Sequence, residues 1–313
     1  MANIYLLTSE SDPVGNAVES LFEKSSPLQR ISSINLSDID FGESDALILG
    51  DGLSNEFSTG DLPESGLIQF IGCRPTAELL DRAENSDAFV VGISPSIAPR
   101  VANRVIGFTG PLKTKVMPDW GVIGLGEVGS EVTKKVTANR SLVAIAELRT
   151  PRSGLMDELG VRRQSLDLLV AGSDVVSIHI HQGPTAAPLI SERELNLMKS
   201  DAVLINTSSS TVIDEIAVVD ALSRDRLAGY ATDCPGEVIN GADESLAATG
   251  KLIITTNPLT NQIGAAQQIA KYVEANITAF SNGSRVQGKF DVIGFPSLGD
   301  PSFWSSQMSP RQD

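Results

Sequence analysis

The chain of 313 residues has little cysteine, little histidine and little positive charge. Its two cysteines, Cys73 and Cys234, lie far apart and form neither a metal-binding spacing nor a redox motif. We therefore expect reduced thiols, as in a cytoplasmic protein. The two histidines, His179 and His181, have no third ligand close in sequence, so we predict no metal site.

The balance of charge is strongly acidic. Lys and Arg number 24 against 39 Asp and Glu, for a net charge of −15. This disfavours nucleic acid as a partner, because phosphate binding needs a basic surface, and it disfavours an anionic membrane surface. No apolar run approaches the ~18 residues of a membrane-spanning helix, and the N-terminal residues lack the features of an export signal. We expect a cytoplasmic protein with a small-molecule substrate.

Short apolar runs alternate with helical stretches, which is typical of an α/β fold with buried parallel strands. In the first hundred residues these runs predict strands at 4–8, 46–50, 67–71 and 88–92, with helices near 14–23 and 76–83. A stretch rich in Pro, Gly and Lys at 110–119 is typical of a linker. We predict a smaller flavodoxin-like α/β domain over 1–109, with 282–313 docking on it.

Beyond the linker the alternation predicts a doubly wound parallel Rossmann sheet over 120–281. Its strands are expected at 122–123, 142–146, 175–180, 203–206, 228–233 and 252–255. Ser191 and Glu194 have the spacing of a capping box, and Asp214 and Glu215 place two acids at the start of a further helix. A last helix near 261–280 is expected to cross back to the first domain.

The most informative motif is Gly124-x-Gly126-x-x-Gly129, which directly follows an apolar run and is followed 23 positions beyond Gly124 by Glu147. This spacing predicts a dinucleotide site with the pyrophosphate on a helix N-terminus. Glu147 is expected to accept hydrogen bonds from the adenosine ribose. The residues predicted to bind the cofactor here are Gly124, Gly126, Glu127, Val128 and Gly129, with the pyrophosphate at 124–128 and Gly129 allowing the helix to pack closely on the sheet.

Residues 120–281 resemble the NAD-binding domain of the D-isomer-specific 2-hydroxyacid dehydrogenases. The segments that carry this resemblance are Ser173–His179, Leu197–Thr207, Thr211–Glu215 and Leu227–Asp233, with Val101-Ala102 before the linker. The resemblance implies a nicotinamide cofactor bound near Asn206, Thr207 and Asp233, with Asp233 at the nicotinamide amide. It also implies a homodimer, but the family's dimer arm is shortened here.

The catalytic positions depart from that family. Ser209 stands where the resemblance expects a substrate-binding Arg, and Asn257, or Pro258 in a register shifted by one, stands where it expects the acid/base His. Glu237 is offered for the Glu that orients the His, either in register or shifted by one position. Reduction of a 2-oxo acid needs a cation and a proton donor, so ordinary chemistry of this family is not expected.

Other residues could replace these groups, each with a plainer interpretation. Arg74 could clamp an anion or form a surface ion pair, and His181 could donate a proton or be a solvated loop residue. His179 is interpreted as structural. Ser209 and its serine neighbours have no sequence-near base to activate them, so acyl transfer is disfavoured. The predicted catalytic set is therefore Glu237, His181, Arg74 and Ser209.

Cofactor choice and overall activity remain open between alternatives. Glu147 would repel a 2′-phosphate, which favours NAD, whereas Arg149 and Arg152 could pair with that phosphate in NADP. We predict an NAD-dependent oxidoreductase of altered chemistry that acts on a small polar, anionic substrate. The alternative is a non-catalytic protein that binds NAD(H) for structural or sensory use.

Overall fold

The computed structural model describes residues 3–23, 28–31, 39–50, 62–72, 86–147, 154–180, 188–242, 244–255 and 264–289. These residues divide into two compact units. Unit 1 contains the described residues up to Ile97 together with 264–289, and unit 2 contains those from Ala98 to 255. The predicted helix near 76–83 and the tail beyond 289 lie outside the described residues.

The described strands are all parallel to their neighbours. They are β1 (Ile4–Leu7), β2 (Leu28–Ile31), β3 (Ala46–Leu49), β4 (Ser65–Phe70), β5 (Asp87–Val91), β6 (Trp120–Ile123), β7 (Val143–Ala146), β8 (Arg162–Arg163), β9 (Val175–Ile178), β10 (Val203–Asn206), β11 (Gly229–Thr232) and β12 (Leu252–Ile254).

The described α-helices fill most of the connections between these strands. They are α1 (Pro13–Phe22), α2 (Ser94–Thr109), α3 (Glu127–Ala138), α4 (Leu155–Leu159), α5 (Leu166–Gly172), α6 (Glu192–Leu197), α7 (Glu215–Ser223), α8 (Glu237–Asn240), α9 (Glu244–Ala248) and α10 (Ala265–Ser281). Among them, none is long and apolar enough to cross a membrane.

Unit 1 contains a five-stranded sheet in the order β2-β1-β3-β4-β5. This is the flavodoxin-like strand order, as predicted. The four predicted strands are present, and β2 was missed because its four residues are only partly buried and lack a continuous apolar run. On the sheet, Val14 and Val18 of α1 share one buried cluster with Ile269 and Val273 of α10.

Unit 2 contains a seven-stranded sheet in the order β12-β11-β10-β9-β6-β7-β8. From β6 outwards this is the doubly wound order of a Rossmann fold, so the predicted fold class is confirmed. The six predicted strands are present, and β8 was missed because it has two exposed residues at the sheet edge. The predicted capping box is also present, since the Ser191 amide donates to the Glu194 carboxylate at 3.0 Å.

The two units differ from the predicted boundaries of 1–109 and 120–281. The change from one unit to the other falls within α2, between Ile97 and Ala98 and next to Pro99, whose ring nitrogen cannot donate a helical hydrogen bond. As predicted for the last helix, α10 belongs to the same unit as the first strands, and its buried face packs with α1.

The predicted linker is anchored to unit 2 through Asp174, which precedes β9 and is 5% exposed. Its Oδ1 accepts hydrogen bonds from Lys115 Nζ at 2.7 Å and from Lys199 Nζ at 2.9 Å. Its Oδ2 accepts one from the Asp119 amide at 2.9 Å. Burial by itself raises the pKa of Asp174, but these donors outweigh it and lower the pKa to about 2.

We expect Asp174→Asn to lower the free energy of unfolding at pH 7 by about 1 to 2 kcal/mol. Because the pKa in the folded protein is below the ordinary value, the stabilisation is present above about pH 4 and is lost as the pH falls towards 2. Urea unfolding of both proteins at pH 7 and pH 3 measures this. Asp201→Asn, at an exposed position 4.0 Å from Lys115, is the control. An equal deficit at both pH values would contradict the proposed charge effect.

Candidate cofactor site

The predicted cofactor residues of unit 2 lie at one edge of its sheet. Because the strands are parallel, the residues that follow their carboxyl ends share that edge. The chain leaves β6 between β7 on one side and β9 on the other, which makes this the point where the strand order reverses and where open α/β sheets bind ligands. The residues concerned are Gly124 after β6, Glu147 after β7, His179 after β9, Thr207 after β10 and Asp233 after β11.

The turn from β6 into α3 accepts only glycine at two positions. Gly124 has φ +92°, in the left-handed region, and a Cβ there would collide with the His179 carbonyl oxygen. A Cβ on Gly129 would collide with the Gly124 carbonyl oxygen. The first and third glycines of the motif therefore permit the tight turn and the close packing of helix on strand that a dinucleotide site requires.

The N-terminus of α3 has the properties of a phosphate site. Gly126 is the N-cap and has no side chain to satisfy the helix amides. Glu127 and Val128 occupy the first turn, where backbone N–H groups and the positive end of the helix dipole favour an anion. Glu127 is itself acidic in that turn, so binding there would rely on the backbone amides rather than on side-chain charge.

Glu147 connects β7 to the glycine turn. Its side chain is buried, and its Oε2 accepts a hydrogen bond from the Leu125 amide at 2.6 Å. A carboxylate offers acceptor positions on both oxygens, so this contact is compatible with further hydrogen bonds to ribose hydroxyls. Glu147 thus has a structural role in the turn, and its role at the adenosine end stays a prediction.

His179 follows β9 and forms the other wall of the glycine turn. Its amide donates to the Ile123 carbonyl at 2.7 Å, and its Nε2 is buried with no hydrogen-bond partner in the part of the chain that the structure describes. Burial lowers the pKa of His179 to about 3, so the ring is neutral near pH 7. A neutral imidazole fits the interpretation of this residue as structural.

The loop after β10 is held together by its own polar groups. Asn206 is fully buried, donates from Nδ2 to the Ser209 carbonyl at 2.7 Å and accepts from the Ser208 amide at 3.0 Å. The Ser209 hydroxyl lies 2.8 Å from the Thr211 hydroxyl and accepts from the Thr211 amide at 3.3 Å. Ser209 therefore caps a short turn, and the Thr207 hydroxyl is buried without a partner in the described residues.

Asp233, which follows β11, forms an ion pair that sequence reasoning missed. Arg104 of α2 donates from Nη1 to Asp233 Oδ2 at 2.9 Å, and the two side chains are only 11% and 14% exposed. The partners are 129 positions apart in sequence. The only available signal was that Arg104 lies just after Val101-Ala102, in the segment that carries part of the family resemblance.

Glu237, the candidate for the orienting carboxylate, is exposed at the first position of α8. The buried carboxylate in this region is Glu215, which accepts from the Gly236 amide at 2.6 Å and from the Ile239 amide at 3.2 Å. Sequence reasoning assigned Glu215 only to the start of α7. Its side chain in fact also caps the neighbouring helix α8.

Several predicted groups lie outside the described residues. They are Arg74, His181, Arg149, Arg152, Asn257 and Pro258. The described catalytic candidates, Ser209 and Glu237, have no hydrogen bond to each other, and the structure gives each a local role. No group of three metal-ligating side chains occurs within the described ranges.

Two solved structures share the fold of this chain. One is a D-isomer specific 2-hydroxyacid dehydrogenase from Lactobacillus delbrueckii ssp. bulgaricus in its NAD-complexed form, with TM-score 0.66 and 16% identity over 93% of this chain and 100% of that one. The other is an NADPH-dependent glyoxylate/hydroxypyruvate reductase from Sinorhizobium meliloti in complex with NADP and malonate. It has TM-score 0.71 and 16% identity over 93% of this chain and 97% of that one.

Sequence comparison finds a family similarity that lies within unit 2. The glyoxylate reductase of Aeropyrum pernix is 29% identical over 163 residues, which are 52% of this chain and 48% of that protein. The chain thus spans about half the length of the curated relatives it matches. Residues 113–256 match the family model for the D-isomer specific 2-hydroxyacid dehydrogenase, NAD binding domain. Unit 2 thus contains a domain that matches the NAD-binding domain of the D-isomer specific 2-hydroxyacid dehydrogenases.

Proposed function

We propose that this chain is a cytoplasmic NAD-dependent oxidoreductase with an altered catalytic site, acting on a small polar, anionic substrate. The observation that carries the proposal is the turn from β6 into α3. Gly124 and Gly129 leave no room for side chains there, and the N-cap residue Gly126 has no side chain to bond the first amides of the helix. Several curated relatives are named glyoxylate reductase, which supports the substrate class. The homodimer expected from the resemblance stays a prediction.

The described residues fit a dinucleotide along the carboxyl edge of unit 2. The first-turn amides of α3 would hold the pyrophosphate, and Glu147 would accept from the adenosine ribose. Asn206, Thr207 and Asp233, which follow strands on the other side of the switch point, would lie along the nicotinamide half. When bound, the nicotinamide supplies a hydride acceptor or donor.

Catalysis would need a cation for the substrate's anionic group and a proton donor for its developing alkoxide. Ser209 is a neutral donor engaged with Thr211, and Glu237 is exposed on α8. Ser209 lacks the positive charge of the Arg that it stands for. Glu237 keeps the carboxylate, but Asn257 or Pro258 stands where its acid/base partner is expected. We propose that any proton transfer or anion binding depends on Glu237 or on Arg74 and His181, whose placement lies outside the described residues.

The contacts of Ser209 favour a second candidate function. Because Ser209 caps its own turn instead of presenting a cation, the chain could bind NAD(H) without turning it over. Turnover of NADH with a panel of 2-oxo acids, aldehydes and imines separates the two candidates. NADH oxidation that depends on one of these compounds supports the enzyme, and saturable NADH binding without oxidation supports the non-catalytic protein.

We expect Gly126→Leu to abolish NADH binding, because a side chain at the N-cap of α3 would occupy the space through which the pyrophosphate approaches the helix amides. Titration of NADH fluorescence measures the affinity, and circular dichroism checks the fold. Gly172→Leu is a matched control, because a Cβ at Gly172 meets no atom within 4 Å. Unchanged affinity in the Gly126 variant would contradict the proposed pyrophosphate position.

We expect NADH to bind at least several-fold more tightly than NADPH, a difference of about 1 kcal/mol or more. The physical reason is repulsion between the buried Glu147 carboxylate and a 2′-phosphate. Glu147→Gln retains an acceptor for the Leu125 amide and removes the charge, so it should narrow this preference. Competition titrations with both cofactors measure it. Tighter binding of NADPH by the wild type would instead favour Arg149 and Arg152 as phosphate ligands.

We expect pyruvate and glyoxylate to be reduced slowly at best, because loss of one positioned acid/base group typically costs ~10² to 10⁴ in rate. Steady-state oxidation of NADH with each acid measures this. Any residual rate should fall sharply in at least one of Arg74→Ala, His181→Ala and Glu237→Ala. Rapid pyruvate reduction by the wild type would show that the alignment of the catalytic positions is wrong.

A further inference from the structure

We infer that Arg104 is a positioning residue for the nicotinamide end of the site: it holds the Asp233 carboxylate in place to accept hydrogen bonds from the nicotinamide carboxamide. The inference rests on the proposed function, because it requires a dinucleotide at the carboxyl edge of unit 2. The new element is Arg104, which lies on α2 and not on a strand of the Rossmann sheet.

Arg104 and Asp233 form a close, mostly buried ion pair. Arg104 Nη1 and Asp233 Oδ2 are 2.9 Å apart, and both side chains are largely shielded from solvent. A guanidinium presents planar, directional donors, so it restricts the orientation of the carboxylate more than an ammonium would. A mostly buried Asp also needs a charged or strongly polar partner. Arg104 therefore both orients Asp233 and compensates its charge.

The location of this pair along the sheet also matters. β11 lies three strand positions from β6, about 14 Å at ~4.8 Å per strand. Glu147 follows β7, on the opposite side of β6. A dinucleotide bound across a Rossmann sheet places one mononucleotide on each side of the switch point. With Glu147 on the adenosine side, Asp233 lies on the nicotinamide side.

Asp233 is also connected to the loop after β10. Thr232 and Asn206 are register partners on β11 and β10. Cys234 is the residue after Asp233. Its amide donates to the Thr232 hydroxyl at 3.0 Å, and its Sγ donates to the Asn206 carbonyl at 3.7 Å. The backbone on either side of Asp233 is thus fixed from β10 and β11. Arg104 adds the constraint on the side chain.

The nicotinamide carboxamide and the Asp233 carboxylate are complementary in hydrogen bonding. A nicotinamide carboxamide has an N–H₂ group that donates two hydrogen bonds, whereas a carboxylate is an acceptor with positions on two oxygens. A carboxylate that already accepts from Arg104 can still accept from such an amide. Because Arg104 holds the Asp233 carboxylate before the cofactor binds, less side-chain entropy is lost on binding. The fixed carboxylate also favours one orientation of the nicotinamide ring.

The test compares two ligands on the full chain. ADP-ribose has the adenosine and pyrophosphate groups of NADH but no nicotinamide, so it reports on the rest of the site. We expect Arg104→Met to weaken NADH binding by about tenfold, or about 1.4 kcal/mol, and to change ADP-ribose binding less than twofold. Asp233→Asn should have the same selective effect. In the double variant the losses should not add, because both changes break one interaction.

Two further variants strengthen the test. Arg104→Lys keeps the positive charge and should retain part of the NADH affinity that Arg104→Met loses. If Arg104→Met does not fold, Arg104→Lys still tests the inference. Arg224→Met is the matched control, since it breaks an exposed ion pair with Asp220 in the same unit and should change neither affinity.

Each outcome separates the possibilities. Selective loss of NADH affinity supports the inference. Equal weakening of NADH and ADP-ribose would show a purely structural role and overturn it, as would unchanged NADH affinity in Arg104→Met. Failure of the wild type to bind ADP-ribose would overturn the proposed function itself, and with it the inference.

Discussion

The candidate site depends on the close approach of α3 to the end of β6. Gly129 lies so near the Gly124 carbonyl that a methyl group between them has no room, and Gly124 adopts a left-handed conformation against the His179 backbone. These two constraints determine where α3 begins and which way its first amides point. Any larger residue at either position would move the helix N-terminus, and with it the proposed phosphate position.

The loops at this edge are held by polar contacts made within the protein. Glu147 binds the Leu125 amide, Asn206 binds the Ser209 carbonyl, and Asp233 binds Arg104. Each contact holds one of these side chains in place at the edge where we propose that the cofactor binds. Buried polar groups with fixed partners rarely reorient. These contacts therefore lower the conformational entropy that the side chains would lose when a cofactor binds.

At this edge the glycine turn has the geometry expected of a cofactor site, whereas the described catalytic candidates have local roles. Ser209 is engaged in capping its own turn, and Glu237 is exposed. Glu215, the buried first residue of α7, accepts from two backbone amides at the start of α8. These local roles are consistent with an altered catalytic site and equally with a non-catalytic role.

The sequence by itself determined the fold class, the strands with continuous apolar runs, the glycine turn and the acid that follows β7, because each is a local pattern of spacing and side-chain size. It missed β2 and β8, whose few residues are partly buried or exposed. Only the tertiary structure decided that α10 packs with α1, that Glu215 caps α8, and that Arg104 pairs with Asp233. These contacts join residues far apart in the chain, and no periodicity or motif encodes which distant partner a helix face or a charged side chain will meet.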